Sequence, residues 1–201
     1  SISIYTEVER MSKMCKLDAD KTAVVLGCGM EGLLTVAALK TLGINKIIVI
    51  DKESEKSRAM EFGAWEFIGS HGKNGVAGVK DKIRAAAGDM ADAVFICTDS
   101  PMGRNVARRF MKNSGSICEM GFLCGWRRTP TARYFEDSMP AGGRFYAARD
   151  YENCMNFLAK AAEMKLPLYK LITHRYKLEE INEAMWTVVR EEGLGIAVFN
   201  R

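Results

Sequence analysis

The run Val24-Val25-Leu26-Gly27-Cys28-Gly29-Met30-Glu31-Gly32 constrains this chain more than any other stretch, because it reads as a buried strand that breaks at glycine and turns directly into a helix. In a G-x-G-x-x-G turn the first glycine permits the tight exit from the strand. The second lets an anionic group approach the backbone, and the third lets the helix lie close to the sheet. The opening turn of a helix also carries N–H groups without intrahelical partners and the positive end of the helix dipole, which together suit a phosphate. The motif alone is weak, and its surroundings strengthen it. Thr22–Leu26 is a short apolar strand. Leu33 to Leu42 carries apolar residues at helical spacing, with Gly43 as its stop. Lys46–Ile50 is a second apolar strand with Asp51 at its carboxyl end. Asp51 follows Gly32 by about 20 residues, the separation at which an acid accepts hydrogen bonds from a ribose. The bland alternative is a tight strand–helix turn with an incidental surface acid.

The order of elements extends this reading. Glu53–Phe62 reads as a helix, Ala64–Ile68 as a third strand, and Ser70–Gly78 as a glycine-rich loop. Val76–Ala87 reads as a helix and Ala93–Cys97 as a fourth strand. Pro101 opens a helix running to about Lys112, and Ser116–Met120 is a fifth strand. Strand–helix alternation of this kind predicts an α/β Rossmann fold: a doubly wound, six-stranded parallel sheet of order 3-2-1-4-5-6 with helices on both faces. A ligand would lie outside the carboxyl ends of strands 1 and 4, with Gly27–Gly32 facing Thr98–Pro101. Residues 121–143 read as a loop with a short helix around Thr131–Ser138, and Arg144–Ala148 as the sixth strand. Asp150 starts a helix to about Met164, and Leu166–Thr173 is extended around Pro167. Leu178–Glu192 is an amphipathic helix with Ile181, Ala184, Met185, Val188 and Val189 on one side, and Ile196–Phe199 is a last strand. Met155, Met164 and Met185 fall at helical positions expected to be core.

Composition excludes more than it assigns. A net charge of +4 is spread along the chain, and its densest spots, Arg108-Arg109 and Arg127-Arg128, are too short to argue for nucleic acid. No apolar run approaches the ~18–20 residues needed to span a bilayer, and no secretory leader pattern opens the chain. The six cysteines, at 15, 28, 97, 118, 124 and 154, form no C-x-x-C pair; Cys97 and Cys118 fall in expected buried strands and read as small core residues of a reducing, cytoplasmic compartment.

Several segments carry a family resemblance. Asp51, Lys56 and Phe62-Gly63-Ala64, the stretch Asp92–Pro101, and the C-terminal run Leu171-Ile172-Thr173-His174-Arg175 followed by Leu178–Ala184 add to the glycine turn. Together, over roughly Lys21 to Arg201, they resemble the medium-chain dehydrogenase/reductase superfamily, the zinc-containing alcohol dehydrogenase-like enzymes. The loop at 122–142 matches poorly. In that family a GroES-like catalytic domain precedes the coenzyme-binding domain and, in zinc-dependent members, supplies most of the metal ligands. The resemblance therefore implies three parts: a lead-in helix and linker at 1–20, an NAD(P)-binding domain at 21–165, and a segment at 166–201 that rejoins the catalytic domain. It further implies an excised coenzyme-binding domain with little or no turnover of its own. Zinc would belong to the full-length parent and not to this chain.

The same resemblance assigns roles. Gly27, Gly29, Met30, Glu31 and Gly32 form the pyrophosphate turn, with the Glu31 side chain required to point to solvent. Asp51 takes the ribose and disfavours a 2′-phosphate, so NAD is expected. Lys52 beside it softens that preference and leaves NADP admissible. Lys56 is the base near the adenosine; Thr98 and Asp99 line the crevice; Met120, Gly121 and Phe122 hold the nicotinamide ribose. No catalytic residue is expected within the chain, and His174 is expected to be structural. The partners implied are the nicotinamide cofactor, a small alcohol or carbonyl substrate in the parent, and a second copy of the chain through the Arg144–Ala148 edge. Two other readings stand beside this one: a non-catalytic nucleotide-binding or regulatory module, and an S-adenosylmethionine-dependent methyltransferase.

Overall fold

The computed structural model describes residues 2–70, 75–98, 101–120, 147–190 and 194–199. The chain divides into two compact units, Ser1–Leu166 and Pro167–Arg201.

The first unit is built on five parallel strands: β1 (Thr22–Leu26), β2 (Lys46–Asp51), β3 (Glu66–Gly69), β4 (Ala91–Ile96) and β5 (Met111–Glu119). Their order is β3-β2-β1-β4-β5, which matches the first five places of the expected order. A sheet of this kind needs cover on both faces, and its central strands are accordingly apolar throughout. Val24 and Leu26, Ile48 and Ile50, and Val94 and Ile96 share one pleat. There they pack with Val79 and Ile83 of α4 (Gly75–Ala87), with Ala107 at the end of α5 (Pro101–Ala107), and with Phe110. The alternate residues Ala23, Val25, Ile47, Val49, Ala93 and Phe95 are fully buried on the other pleat. That side carries α2 (Met30–Thr41), which is buried on nearly every turn because α1 (Ile2–Met14) and α6 (Ala148–Glu163) cover it in turn. Tyr5 of α1 stacks on Phe157 of α6 with ring centroids 4.8 Å apart. The lead-in helix is thus part of the layered unit.

Several elements differ from the sequence expectation. The helix after the glycine turn begins at Met30, inside the motif. It ends where Gly43, at φ 89°, lets Ile44 N–H reach back to Leu39 C=O. The helix expected from Pro101 to Lys112 stops at Ala107 and gives one 3₁₀ turn, Arg108–Phe110, because Phe110 and Met111 turn inward and β5 begins at Met111. Of the expected sixth strand, 144–146 lie outside the described residues, while Ala147 is the N-cap of α6 and Ala148 its first residue. Asp150 caps that helix from its third position: Oδ2 accepts the Ala147 N–H at 2.6 Å. The expected dimer edge lies largely outside the described residues, as do the short helix at 131–138 and residues 71–74 of the glycine loop expected at Ser70–Gly78, whose last four residues instead open the helix Gly75–Ala87.

β5 pairs with β4 at Met111↔Ala91 and again from Ser116↔Ala93, so residues 112–115 bulge out between the two registers. Asp92 holds this irregularity. Its carboxylate accepts the Thr22 N–H at 2.9 Å and the Lys112 ammonium at 2.9 Å, with Lys21 at 3.8 Å. Burial alone would raise the Asp92 pKa; the Thr22 N–H and the two lysines outweigh it and hold the carboxyl below its ordinary 3.8. Asp92→Ala is expected to destabilise the protein by about 2 kcal/mol at neutral pH, since it leaves a strand N–H without its acceptor and the Lys112 ammonium with only Asp89, 3.8 Å away. A depressed carboxyl contributes stability above its unfolded pKa and loses it as pH falls through the folded one. The difference between wild type and Asp92→Ala in urea melts should therefore shrink below about pH 3.8.

The second unit holds β6 (His174–Lys177) and β7 (Ile196–Phe199), paired in parallel, and α7 (Ile181–Val189). Residues Leu168–Leu171, expected to be extended, form a 3₁₀ turn. Pro167 starts it, and the Lys170 N–H donates back to the Pro167 carbonyl at 2.9 Å. The expected helix from Leu178 opens with a 3₁₀ turn at Leu178–Glu180 and becomes α-helical at Ile181. On its expected buried side only Ala184 is covered; Ile181, Met185, Val188 and Val189 are exposed. Met155 and Met164 are exposed too, because α6 buries the line Cys154, Phe157 and Ala161 instead. Among the described residues no helix is long and apolar enough to cross a membrane.

Candidate functional site

The carboxyl ends of β1, β2 and β4 meet at one corner of the first unit. β1 ends at Leu26, and Gly27 turns the chain at φ 100°, a left-handed conformation that favours glycine. A Cβ on Gly27 would lie 2.6 Å from the Cys97 carbonyl oxygen, so β4 packs directly against the turn. A Cβ on Gly32 would run into the Gly27 carbonyl oxygen. Gly29 differs from both: no described residue beyond its chain neighbours lies within 4 Å of where its Cβ would be. Two of the three glycines are therefore demanded by packing, and the middle one faces open space.

Gly29 is also the N-cap of α2, and no side chain caps the helix start. Met30 follows exposed on the surface, and Glu31 is half-buried. Asp51 ends β2 beside this turn. Its two carboxylate oxygens are anchored separately: the Cys28 N–H donates to Oδ2 at 2.5 Å and the Lys52 N–H to Oδ1 at 2.6 Å. Only remaining lone pairs are left for another donor, and these are held in a fixed direction. Lys52 is exposed, and Lys56, at the start of α3 (Lys56–Glu61), lies 3.9 Å from Glu53.

Across the crevice, Thr98 follows β4. Its Cβ lies 3.2 Å from the position a Cβ on Gly27 would take. Met120 follows β5 and continues the ladder through its N–H to the Ile96 carbonyl at 2.8 Å, but its side chain is buried, with the Cys118 thiol 3.4 Å from its sulfur. Asp99, Gly121 and Phe122 lie outside the described residues. The glycine turn, Asp51 and Thr98 are thus gathered at one corner. Lys52 and Lys56 stand on the Asp51 side of it, and Met120 contributes backbone.

Three features go beyond the sequence reading, in which Cys97 is already a core residue. The Cys28 thiol is buried under the turn and its pKa is pushed to about 12 by burial, then by Asp51 and Glu55. Burial likewise pushes Cys97 to about 12, and the Thr35 hydroxyl sits 3.5 Å from its sulfur. Both stay protonated thiols, so they fill space as neutral groups beneath the glycine turn. The third is Gly103, considered below; a glycine inside a helical stretch was the available signal. His174, in the second unit, sits 2.9 Å from the Thr173 hydroxyl and stacks on Tyr176. Among the described residues no three His, Cys, Asp or Glu side chains gather where a metal ion could be held.

This topology, with its glycine turn at the point where strand order reverses, defines a Rossmann-type α/β domain. Comparison with known proteins narrows the class. The profile of the family described as zinc-binding dehydrogenase matches residues 32–160, and the chain belongs to that family. Sorbitol dehydrogenase 1 of Saccharomyces cerevisiae is 29% identical over 166 residues, which cover 80% of this chain and 46% of that protein. An alcohol dehydrogenase from Thermotoga maritima superposes with a TM-score of 0.80 at 20% identity, over 98% of this chain and 54% of the other. A short chain alcohol dehydrogenase from E. coli CFT073, solved in complex with NADH, superposes with a TM-score of 0.71 at 18% identity, over 98% of this chain and 57% of the other. The chain spans about half the length of the curated relatives it matches.

Proposed function

We propose that this chain is the NAD-holding part of a dehydrogenase that moves hydride between the nicotinamide and an alcohol or carbonyl carbon. The observation that carries the reading is the open ground over Gly29 at an uncapped helix start, bordered by an anchored acid. The residues present fit the cofactor. The backbone of Gly29 to Gly32 would hold the diphosphate, where the helix dipole favours an anion and no described residue crowds the Gly29 Cβ position. Asp51 accepts from the adenosine ribose hydroxyls without reorganisation, because two backbone N–H groups already orient it. Lys52 and Lys56 stand on the adenosine side, and Thr98 and the Met120 backbone on the side assigned to the nicotinamide; Asp99, Gly121 and Phe122, assigned there by resemblance, lie outside the described residues. When bound, the cofactor supplies the carbon that gives up or takes hydride, and the chain binds and orients it.

The group that polarises the substrate oxygen is assigned to the rest of the parent protein, and no step is assigned here through a metal. Relatives bearing the name sorbitol dehydrogenase make a polyol the first substrate to try with the whole protein. The free thiols of the described cysteines suit a reducing cytoplasm.

Asp51 supports NAD over NADP, since a carboxylate repels a 2′-phosphate at hydrogen-bond distance. Calorimetric titration should show NAD bound at least about tenfold more tightly than NADP, a difference of ~1.4 kcal/mol. Steady-state assays of the 201-residue chain with a panel of alcohols should show no significant turnover. Equal affinity for the two cofactors would remove Asp51 from its role. Binding of S-adenosylmethionine in place of NAD would overturn the reading as a whole.

A further inference from the structure

Thr98 is held between two glycines that come from opposite halves of the fold. On one side its Cβ lies 3.2 Å from where a Cβ on Gly27 would stand. On the other, a Cβ on Gly103 would lie only 2.6 Å from the Thr98 methyl, Cγ2. Gly103 sits within α5, the helix that follows β4. Glycine is a poor helix former, disfavoured relative to alanine by about 1 kcal/mol, so its presence there needs a reason. The short distance supplies one. Without a side chain at 103, the helix can press onto the Thr98 methyl, and Thr98 in turn abuts the turn that opens α2.

From this geometry we infer that Gly103 is a positioning residue for the cofactor crevice, acting on the phosphate turn through Thr98. The inference rests on the proposed role of that turn in holding NAD. A methyl group at 103 forces one of two responses. Either Thr98 rotates, moving its methyl and hydroxyl together, or α5 withdraws and Thr98 no longer backs Gly27. Both loosen the backbone that receives the diphosphate, and neither touches the cofactor directly. The relation is specific to one methyl. Thr98→Ser removes Cγ2, keeps the hydroxyl, and clears the space that an alanine at 103 would enter.

The test is a double-mutant cycle on the full chain with NAD as the titrant, reading Kd by calorimetry and thermal midpoint in parallel. Gly103→Ala should weaken NAD about tenfold. Thr98→Ser alone supplies the reference affinity for the cycle. The combined variant should bind within about threefold of Thr98→Ser, so that the serine rescues the alanine. Unchanged affinity in Gly103→Ala would overturn the inference. So would a combined variant whose thermal midpoint recovers while its affinity does not, because the contact would then serve packing alone. Failure of wild type to bind NAD would instead overturn the proposed function, and this inference with it. Wild-type binding without coupling between 98 and 103 would overturn only the inference.

Discussion

Gly32→Ala is expected to destabilise the protein by about 3 kcal/mol, at the upper end of the range for overpacking in a tight interior. The added methyl has no free direction, because its position coincides with the Gly27 carbonyl oxygen, a backbone atom that cannot rotate away. Relief requires α2 to lift off the sheet, and α2 is the buried centre of the face covered by α1 and α6. Urea melts measure the loss. Gly29→Ala is the informative contrast. Its methyl meets no described residue within 4 Å, so stability should change by less than about 1 kcal/mol, the scale of replacing a glycine N-cap with alanine. NAD affinity should nonetheless fall about tenfold or more, because that open space is the proposed seat of the diphosphate. If Gly29→Ala bound NAD as wild type does, the space over the helix start would have another use.

Asp51→Asn is expected to weaken NAD by about 10- to 100-fold, the effect of losing a charged hydrogen-bond acceptor of about 1.5–3 kcal/mol. NADP should lose much less, since the same substitution removes the charge that opposes a 2′-phosphate. The ratio of the two affinities therefore moves towards NADP, and that shift is the diagnostic readout. Asparagine keeps an oxygen for one of the two N–H groups that now hold the acid, Cys28 and Lys52, but not for both. A stability loss of about 1 kcal/mol should accompany the change in affinity. A drop in stability with the NAD/NADP ratio untouched would make Asp51 a brace for the glycine turn and nothing more.

The two experiments together separate what the corner does for the fold from what it does for a ligand. Gly27 and Gly32 are fixed by contacts within the protein. Gly29 is not, and Asp51 is shared between the two roles. The Asp92 cluster lies at the amino end of the same sheet, where Thr22 opens β1 and Ala91 opens β4, away from the carboxyl ends that carry the candidate site. Its removal is expected to cost stability alone.

The sequence by itself determined the strands β1, β2 and β4, the glycine turn between them and the acid that follows. Each depends on local chemistry: apolar runs short enough to be strands, glycines at fixed offsets, and a carboxylate at the end of a strand. The tertiary structure decided the rest. That the Cys28 N–H grips Asp51 depends on two residues 23 positions apart meeting across neighbouring strands, which no spacing rule encodes. The early end of α5 was set by Phe110 entering the core, and the bulge in β5 by Lys112 reaching Asp92; a helical apolar period over 101–112 is compatible with either outcome until the sheet is present. The exposed methionines of α6 and α7 show the same limit, because periodicity gives a helix its sides but only its neighbours choose which side is covered. Nor could a motif say which glycine is required by packing and which leaves room for a ligand. That distinction is a distance to atoms brought in by β4 and α2, and it exists only once they are folded together.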